Sequence, residues 1–215
     1  MKHKVVLFDI DYTLFNTEQF RDLLYAGIEK ALKLDVETLG TGIYQGIRRE
    51  LGYFNPDLFL KRLTKNLPKE VDEEALREII WNEGSMRACI YPEVDEALTH
   101  VSKNALIGIF SKGHSKFQRA KLIAIKHFLQ DQHIHVTVNK ETRLPALIKK
   151  YEEKKLYLVD DALEVLWKAK ELDNDIFTIW VKRGKFAMDR KSIEGFTPDE
   201  TIENLQEVGN IVEKD

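Results

Sequence analysis

A continuous apolar run near the N-terminus constrains the fold more than any other feature of the sequence. Residues 5–8 (VVLF) contain no polar side chain, and Asp9 and Asp11 follow directly. An uninterrupted run is typical of a strand buried on both faces of a parallel sheet. Ligands of open α/β sheets bind beyond the carboxyl ends of the strands. Because two neighbouring carboxylates repel each other unless a cation compensates, this pair indicates a divalent-metal site, with a polar turn as the simpler alternative.

Further short apolar segments follow in the second half of the chain, and helical patterns separate them. They predict strands at residues 105–110, 134–138, 156–159 and 176–181. Strands that alternate with helices predict a parallel sheet with right-handed crossovers. We therefore expect the α/β class, with a Rossmann-like, doubly wound parallel sheet.

The segment between the first two predicted strands carries only helical signals. We interpret residues 17–87 as an inserted α-helical domain, and residues 1–16 and 88–215 as the α/β core. Thr17 is the expected N-cap of the first helix. The helices predicted from apolar spacing cover residues 17–34, 42–51, 56–66, 72–86, 93–103, 115–130, 144–153, 162–171 and 197–215.

Composition and charge narrow the class of protein. The 215 residues carry 33 basic and 36 acidic side chains, a formal net charge of −3, which favours neither nucleic acid nor an anionic membrane as a partner. Cys89 is the single cysteine, so an intramolecular disulfide is excluded. We see no signal-peptide core and no apolar run near the roughly 18 residues that span a bilayer. We expect a cytoplasmic monomer or homodimer.

Polar side chains fall at the ends of several predicted strands, and one edge of a parallel sheet would gather them. Carboxylates hold hard cations such as Mg²⁺, while a lysine and a hydroxyl bind an anionic ligand. An aspartate can attack a phosphoryl group, and a second carboxylate can move the proton. The residues in question are Asp9, Asp11, Ser111, Lys140, Asp160 and Asp161.

This set of motifs resembles the haloacid dehalogenase (HAD) superfamily, in its phosphatase branch. The family's first motif, DxDxT, corresponds to residues 9–13 (DIDYT), and its second to Ser111 within 109–113 (IFSKG). The third corresponds to Lys140, and the fourth to the acidic pair after Val159. The inserted helices resemble the family's class I cap. The resemblance covers essentially the whole chain.

The resemblance implies a Mg²⁺-dependent phosphohydrolase that acts on a small phosphorylated metabolite. Asp9 would be the nucleophile and form an aspartyl-phosphate. Asp11 would be the general acid and then the base, and Thr13 would help orient it. The backbone carbonyl of Asp11 would bind the metal. The implied substrate-binding residues are Thr13, Ser111, Lys112 and Lys140. The implied metal ligands are Asp9, Asp11, Asp160 and Asp161.

Two departures from the family pattern stand out, and alternatives stay open. Tyr12 occupies a position where many members have glycine, and Glu141 rather than proline follows Lys140. A phosphomutase would use the same site, and a non-catalytic member would bind a phosphorylated ligand or a protein. Dehalogenation is disfavoured, because dehalogenase members typically lack a carboxylate at the position of Asp11.

Other residues carry weaker signals. Arg48 and Arg49 could bind an anionic substrate, although charged side chains on helices are usually just solvated. His133 and His135 alternate near the third strand, but without a Cys or carboxylate at matching spacing we expect ordinary surface histidines rather than a zinc site. Cys89 is expected to be a packed thiol rather than a nucleophile.

Overall fold

A six-stranded parallel sheet forms the centre of the molecule. The computed structural model describes residues 3–68, 71–184 and 192–215. The strands are β1 (Lys4–Phe8), β2 (Leu106–Lys112), β3 (Ile134–Thr137), β4 (Lys155–Asp160), β5 (Phe177–Val181) and β6 (Glu200–Ile202). Their order in the sheet is β3-β2-β1-β4-β5-β6, and each neighbouring pair is parallel.

Helices connect the strands and cover the sheet. They are α1 (Thr17–Leu32), α2 (Glu37–Leu51), α3 (Pro56–Thr64), α4 (Glu73–Ile80), α5 (Glu83–Ala88), α6 (Val94–Asn104), α7 (Ser115–Lys121), α8 (Lys140–Lys150), α9 (Leu163–Leu172) and α10 (Gln206–Lys214). This alternation confirms the predicted α/β class.

The apolar run of β1 is buried on both faces, as its sequence predicts. Val6 and Phe8 belong to one apolar cluster, which also includes side chains of α6 and α10. Val5 and Leu7 belong to a second cluster on the opposite face, with side chains of α8 and α9. These four side chains are at most 1% exposed, so β1 lies in the middle of a sheet with helices on both faces.

Helices α1–α5 lie between β1 and β2 in the chain. The two connections to this helical block run side by side, because Phe15 and Ile90 form an isolated antiparallel bridge. The backbone N–H of Asn16 donates to the carbonyl of Cys89 over 2.7 Å. Buried side chains of the block belong to the same apolar cluster as Val6 and Phe8. The division into an inserted domain and a core therefore stays a prediction, since the two parts share one continuous core.

The start of α1 corrects one capping prediction. Asn16, not Thr17, is the N-cap, and its Oδ1 accepts a hydrogen bond from the backbone N–H of Gln19 over 3.1 Å. Asparagine in this position satisfies a backbone donor that the helix leaves unpaired. Thr17 is the first residue of the helix, and its hydroxyl is left to bind elsewhere.

Three other helix predictions differ from the structure. Within the predicted helix 115–130, the α-helix ends at Lys121 and is followed by two short 3₁₀ turns, Leu122–Ala124 and Lys126–Phe128. The sequence pattern did not separate the two geometries, because both bring residues three apart onto one side. The segment 72–86 is two helices, since Asn82 caps a new one by accepting from the N–H of Ser85 over 2.8 Å. The segment 197–215 begins with β6, an edge strand of three residues that is too short to show a period.

We also compared the helices with the requirements of a bilayer. Within residues 3–68, 71–184 and 192–215, none combines the length and the apolar character that a membrane span needs.

Candidate active site

The predicted polar residues meet at the carboxyl edge of the sheet. β1 lies between β2 and β4, so the residues that follow or end these strands are neighbours. Asp9 follows β1, Ser111 lies near the end of β2, and Asp160 is the last residue of β4. The next strand in the chain, β2, lies on one side of β1, and β4 lies on the other side. Open α/β sheets bind ligands at the point where the strand order changes direction in this way.

Lys140 joins two of the carboxylates. Its Nζ lies 2.5 Å from Oδ1 of Asp9 and 2.6 Å from Oδ2 of Asp160, and all three side chains are buried. Asn139 fixes this position by capping α8, because its Oδ1 accepts from the N–H of Thr142 over 3.2 Å. Burial lowers the pKa of Lys140, but the two carboxylates outweigh it and raise the pKa above its usual value. The lysine is therefore charged.

Asp9, Asp160 and Asp161 form a buried acidic cluster. Each offers a carboxylate oxygen, and these oxygens lie within 4.8 Å of one another. Burial, aided by Asp160 and opposed by Lys140, raises the pKa of Asp9 to about 7. Burial and the neighbouring carboxylates of Asp160 and Asp9 also raise the pKa of Asp161 well above its ordinary value.

The chemistry of this cluster fits a hard divalent cation. One ammonium, that of Lys140, faces three carboxylates. Asp161 is only 8% exposed. Its carboxylate accepts no hydrogen bond from any residue that the structure describes. By contrast, Oδ1 of Asp160 accepts from the N–H of Ala162 over 2.9 Å. A cation bound by oxygen ligands would relieve the repulsion that the described residues leave uncompensated.

The Asp11 carboxylate lies outside this cluster and has its own polar surroundings. Its Oδ1 lies 2.6 Å from Nζ of Lys121 and accepts from the hydroxyl of Thr17 over 2.5 Å. Its Oδ2 accepts from Nε2 of Gln118 over 2.8 Å. Burial tends to raise the pKa of Asp11, but Lys121 and the three hydrogen bonds hold it below its usual value. Asp11 is thus an ionised carboxylate, and its side chain is 30% exposed to the cleft.

Gln118 connects Asp11 to the second motif. The same Nε2 that binds Asp11 also donates to Oγ of Ser111 over 2.9 Å and to the carbonyl of Lys112 over 3.1 Å. A side-chain amide has two protons, so these three acceptors share them. Because the Ser111 oxygen accepts here, its own proton remains for another acceptor.

The sequence predictions did not include Thr17, Gln118 or Lys121 among the site residues. Gln118 and Lys121 are three residues apart on α7, which places them on one helix face, and both are buried. The sequence carries no signal for this pair, because polar side chains on a helix are usually solvated and their spacing does not show which of them turn inward.

Thr13 does not take the orienting position that the resemblance implied. Its residue is fully buried, and within the described chain its hydroxyl has no hydrogen-bond partner. The hydroxyl of Thr17, four residues further along the chain, binds Asp11 instead. Thr13 lies in the tight turn after Asp9, in which the N–H groups of Leu14 and Phe15 both donate to the carbonyl of Ile10.

Tyr12 adopts the backbone conformation that glycine would supply. Its φ is +60°, in the left-handed region that costs a non-glycine residue about 1–2 kcal/mol. Its ring packs so closely on Gly184 that a Cβ at position 184 would lie 2.2 Å from Cδ1 of the ring. The tyrosine therefore keeps the turn and adds an aromatic wall to the cleft.

The cleft lies between this edge of the sheet and the helical block. Asp9, Asp11 and Lys140 line it from the sheet, and side chains of α1 and α2 line it from the helical block. Lys112 also lines it and reaches across to the end of α2, where a Cβ on Gly52 would lie 3.0 Å from its Nζ.

The prediction that His133 and His135 are surface residues is wrong for His133, which is buried. The rings of His133 and His135 both contact the hydroxyl of Tyr151, over 2.8 and 2.9 Å. In the described chain neither ring belongs to a group of metal-ligating side chains. Cys89 is fully buried, and burial raises its pKa to about 11, so it is a packed thiol.

Comparisons with known proteins place this site in a familiar fold. No protein-family model matches the chain, and no curated protein matches it. Solved structures do match over nearly its full length. A protein from Burkholderia xenovorans LB400 assigned as a haloacid dehalogenase-like hydrolase is 24% identical, with a TM-score of 0.80 and 100% of both chains covered.

Two further structures are more distant in sequence. The magnesium-bound HAD-hydrolase YfnB from Bacillus subtilis is 14% identical, with a TM-score of 0.65 and 99% of each chain covered. A 2-haloacid dehalogenase from Pseudomonas syringae pv. Tomato DC3000 is 15% identical, with a TM-score of 0.62 and 98% of each chain covered. At these identities the likeness concerns the fold and not the reaction. The chain has the haloacid dehalogenase-like hydrolase fold.

Proposed function

We propose that the protein is a Mg²⁺-dependent phosphohydrolase that cleaves a phosphate monoester of a small metabolite through an aspartyl-phosphate on Asp9. The observation that carries the proposal is the separation of two carboxylates only two residues apart. Asp9 lies in the acidic cluster against Lys140, and Asp11 lies in a second polar environment against Lys121. Two carboxylates with different surroundings suit two different chemical roles.

The first half of the reaction transfers the phosphoryl group to the protein. A carboxylate oxygen of Asp9 attacks phosphorus, and the bond between phosphorus and the ester oxygen breaks. The leaving alcohol takes its proton from Asp11, which must therefore have gained one before this step. Lys140 and the hydroxyl of Ser111 would bind the phosphoryl oxygens.

The second half releases phosphate. Water attacks phosphorus, the bond to Asp9 breaks, and Asp11 accepts the proton that the water loses. Lys121, Thr17 and Gln118 keep Asp11 ionised in the structure, which suits its role as the base of this step. The proton gained here is the one that Asp11 donates in the next cycle.

Asp9, Asp160 and Asp161 would hold the metal. Mg²⁺, when bound, neutralises phosphoryl charge and so favours attack by an anionic nucleophile. The Asp11 side chain is directed at Lys121 and is not part of the acidic cluster. The proposed metal ligand from Asp11 is therefore its backbone carbonyl, as the family resemblance implies.

The proposal is tested by the release of phosphate from 4-nitrophenyl phosphate and from a panel of phosphorylated metabolites, with Mg²⁺ and with EDTA. We expect metal-dependent release that is lost in Asp9→Asn and nearly lost in Asp11→Asn. A matched control is Asp131→Asn, an exposed carboxylate far along the chain, which should retain the parent activity.

Dehalogenation and phosphoryl return to a sugar are tested beside hydrolysis. Chloride release from 2-chloropropionate that survives EDTA, with no phosphate release from any ester, would contradict the proposal in favour of a dehalogenase. Isomerisation of a sugar phosphate without net phosphate release would favour a phosphomutase. Asp11 argues for hydrolysis of an ester, because an alcohol leaving group needs a proton and a halide does not.

A further inference from the structure

Two arginines of the helical block line the same cleft as the acidic cluster. Arg21 lies on α1 and Arg48 on the last turn of α2. Both are half-buried, so their positions are partly fixed by the surrounding helices. Arg49, the next residue, is exposed and does not line the cleft.

The two guanidinium groups affect the same two tyrosines, Tyr12 and Tyr44. The Cζ of Arg48 lies 5.9 Å from the ring centre of Tyr44. Burial raises the pKa values of Tyr12 and Tyr44 to about 12, and both arginines oppose this rise at each phenol. Arg21, Arg48 and the two tyrosines therefore form one group at the wall of the cleft, which we call the arginine wall.

The pairing of Arg21 differs from that of other arginines of the protein. Arg62 binds Glu50, Arg77 binds Asp57, and Arg183 binds Glu93. Within the described residues no carboxylate lies within ion-pairing distance of Arg21. The acidic side chains that line the cleft elsewhere, Glu141 and Glu164, follow β3 and β4 on the side of the sheet.

The cleft thus offers two kinds of anion-binding group. The metal cluster and Lys140 suit the phosphoryl group that reacts. The guanidinium groups beside flat aromatic rings suit an oxyanion carried on a compact body, since arginine binds carboxylate and phosphate through paired N–H donors. Tyr44 and Phe54 also line the cleft, with stacked ring centres 4.9 Å apart, and supply apolar surface for that body.

We propose that the substrate is a compact phosphate monoester whose leaving group carries a second oxyanion, and that Arg21 and Arg48 bind that oxyanion. This inference rests on the proposed function for the identity of the first phosphoryl group. It makes the two arginines specificity-determining residues, and it predicts discrimination against neutral alcohols.

The test uses matched esters that differ in one group. Phenyl phosphate is neutral at the far end of its ring, 4-carboxyphenyl phosphate carries a carboxylate there, and 1,4-phenylene bisphosphate carries a second phosphate. We expect kcat/KM for one or both anionic esters to exceed that for phenyl phosphate by at least about tenfold, as for one charged hydrogen-bonded contact. The two anionic arms show whether the site prefers the planar or the tetrahedral oxyanion.

The variants Arg48→Ala and Arg21→Ala should reduce this ratio toward one, mainly through KM for the anionic esters. Arg48→Lys should restore part of it, since a lysine keeps the charge but not the paired donors. Arg49→Ala is the matched control and should keep the parent ratio. Equal kcat/KM for all three esters, or a preference that survives both alanine variants, would overturn the inference.

A binding measurement separates this inference from the proposed function. Calorimetry of Asp9→Asn with Mg²⁺ compares the affinities of the three esters without turnover. Tighter binding of an anionic ester that is lost in Arg48→Ala supports the inference even if the parent hydrolyses none of them, which would contradict the proposed function alone. Equal affinities would contradict the inference alone.

Discussion

The ammonium of Lys121 lies 2.6 Å from Oδ1 of Asp11, in a pair whose lysine is only 5% exposed and whose carboxylate is 30% exposed. The lysine comes from α7, more than a hundred residues after the aspartate, and lies beside the rings of Phe15 and Phe117. Neither partner can be solvated fully once the other is removed. The loss of Lys121 should therefore affect both the stability of the protein and the charge and orientation of Asp11, its proposed acid and base.

The first prediction concerns this lysine. Lys121→Met should lower the free energy of unfolding by about 1–3 kcal/mol, less than the roughly 3–5 kcal/mol typical of fully buried pairs because Asp11 is partly exposed. It should also lower kcat by about ten- to a hundredfold, since Asp11 loses its orientation. Urea unfolding and steady-state kinetics measure the two effects. Lys116→Met, at an exposed position on the same helix, is the control, and an undiminished kcat in Lys121→Met would refute the positioning role.

A second prediction concerns Gln118. Gln118→Met keeps the length of the side chain but removes the donor shared by Asp11 and Ser111, and we expect kcat to fall by about tenfold or more. Gln118→Glu is closer in shape, yet it places a carboxylate against Asp11 and should be the poorer enzyme. Kinetics at saturating substrate give the order parent, Met, Glu. If the Glu variant were the better of the two, shape rather than hydrogen bonding would explain the role of Gln118.

A third prediction uses two glycines with similar backbones. Gly184 and Gly195 have φ values of +67° and +77°, so alanine at either position costs about 1–2 kcal/mol. A Cβ at Gly184 would meet the Tyr12 ring at 2.2 Å, whereas at Gly195 it would meet nothing within 4 Å. Gly184→Ala should therefore be the less stable by about a further 1–3 kcal/mol in thermal or urea unfolding. Equal destabilisation of the two variants would show that Tyr12 yields freely.

A fourth prediction concerns pH. Burial, aided by Lys150 and Arg143, lowers the pKa of His135 from 6.5 to about 4. Between these values the unfolded chain binds more protons than the folded one, so this contribution to stability is complete above pH 6.5 and is lost as the pH falls toward 4. Urea unfolding at several pH values should show this decline for the parent and a shallower one for His135→Gln. Identical declines would assign the pH dependence to other groups.

The sequence predicted the parts of the fold that one strong local pattern determines. The run at residues 5–8 has a single low-energy environment, the middle of a sheet, and β1 lies there. The segment 115–130 was harder, because residues three apart line up in 3₁₀ turns as they do in a helix. β6 is three residues long, and it depends on pairing with β5 rather than on its own pattern.

The site was predictable where residues end strands, since the sheet brings strand ends together regardless of their separation in the chain. Asp9 and Lys140 are 131 positions apart and form an ion pair. The partners of Asp11 were not predictable in this way. Gln118 and Lys121 lie within a helix, where the sequence does not show which polar side chains turn inward, and the same holds for Arg21 and Arg48 in the helical block.

The most direct test of the central claim is to look for the phosphoryl group on Asp9. Asp11→Asn is mixed with Mg²⁺ and 4-nitrophenyl phosphate, whose leaving group needs little protonation, quenched in acid, and analysed by peptide mass spectrometry. Because this variant lacks the base of the second half-reaction, we predict a phosphoryl group on the peptide that contains Asp9, and none after the same treatment of Asp9→Asn. Phosphate release by the parent with no phosphoryl group on Asp9 in Asp11→Asn, or with the group on another residue, would contradict the account.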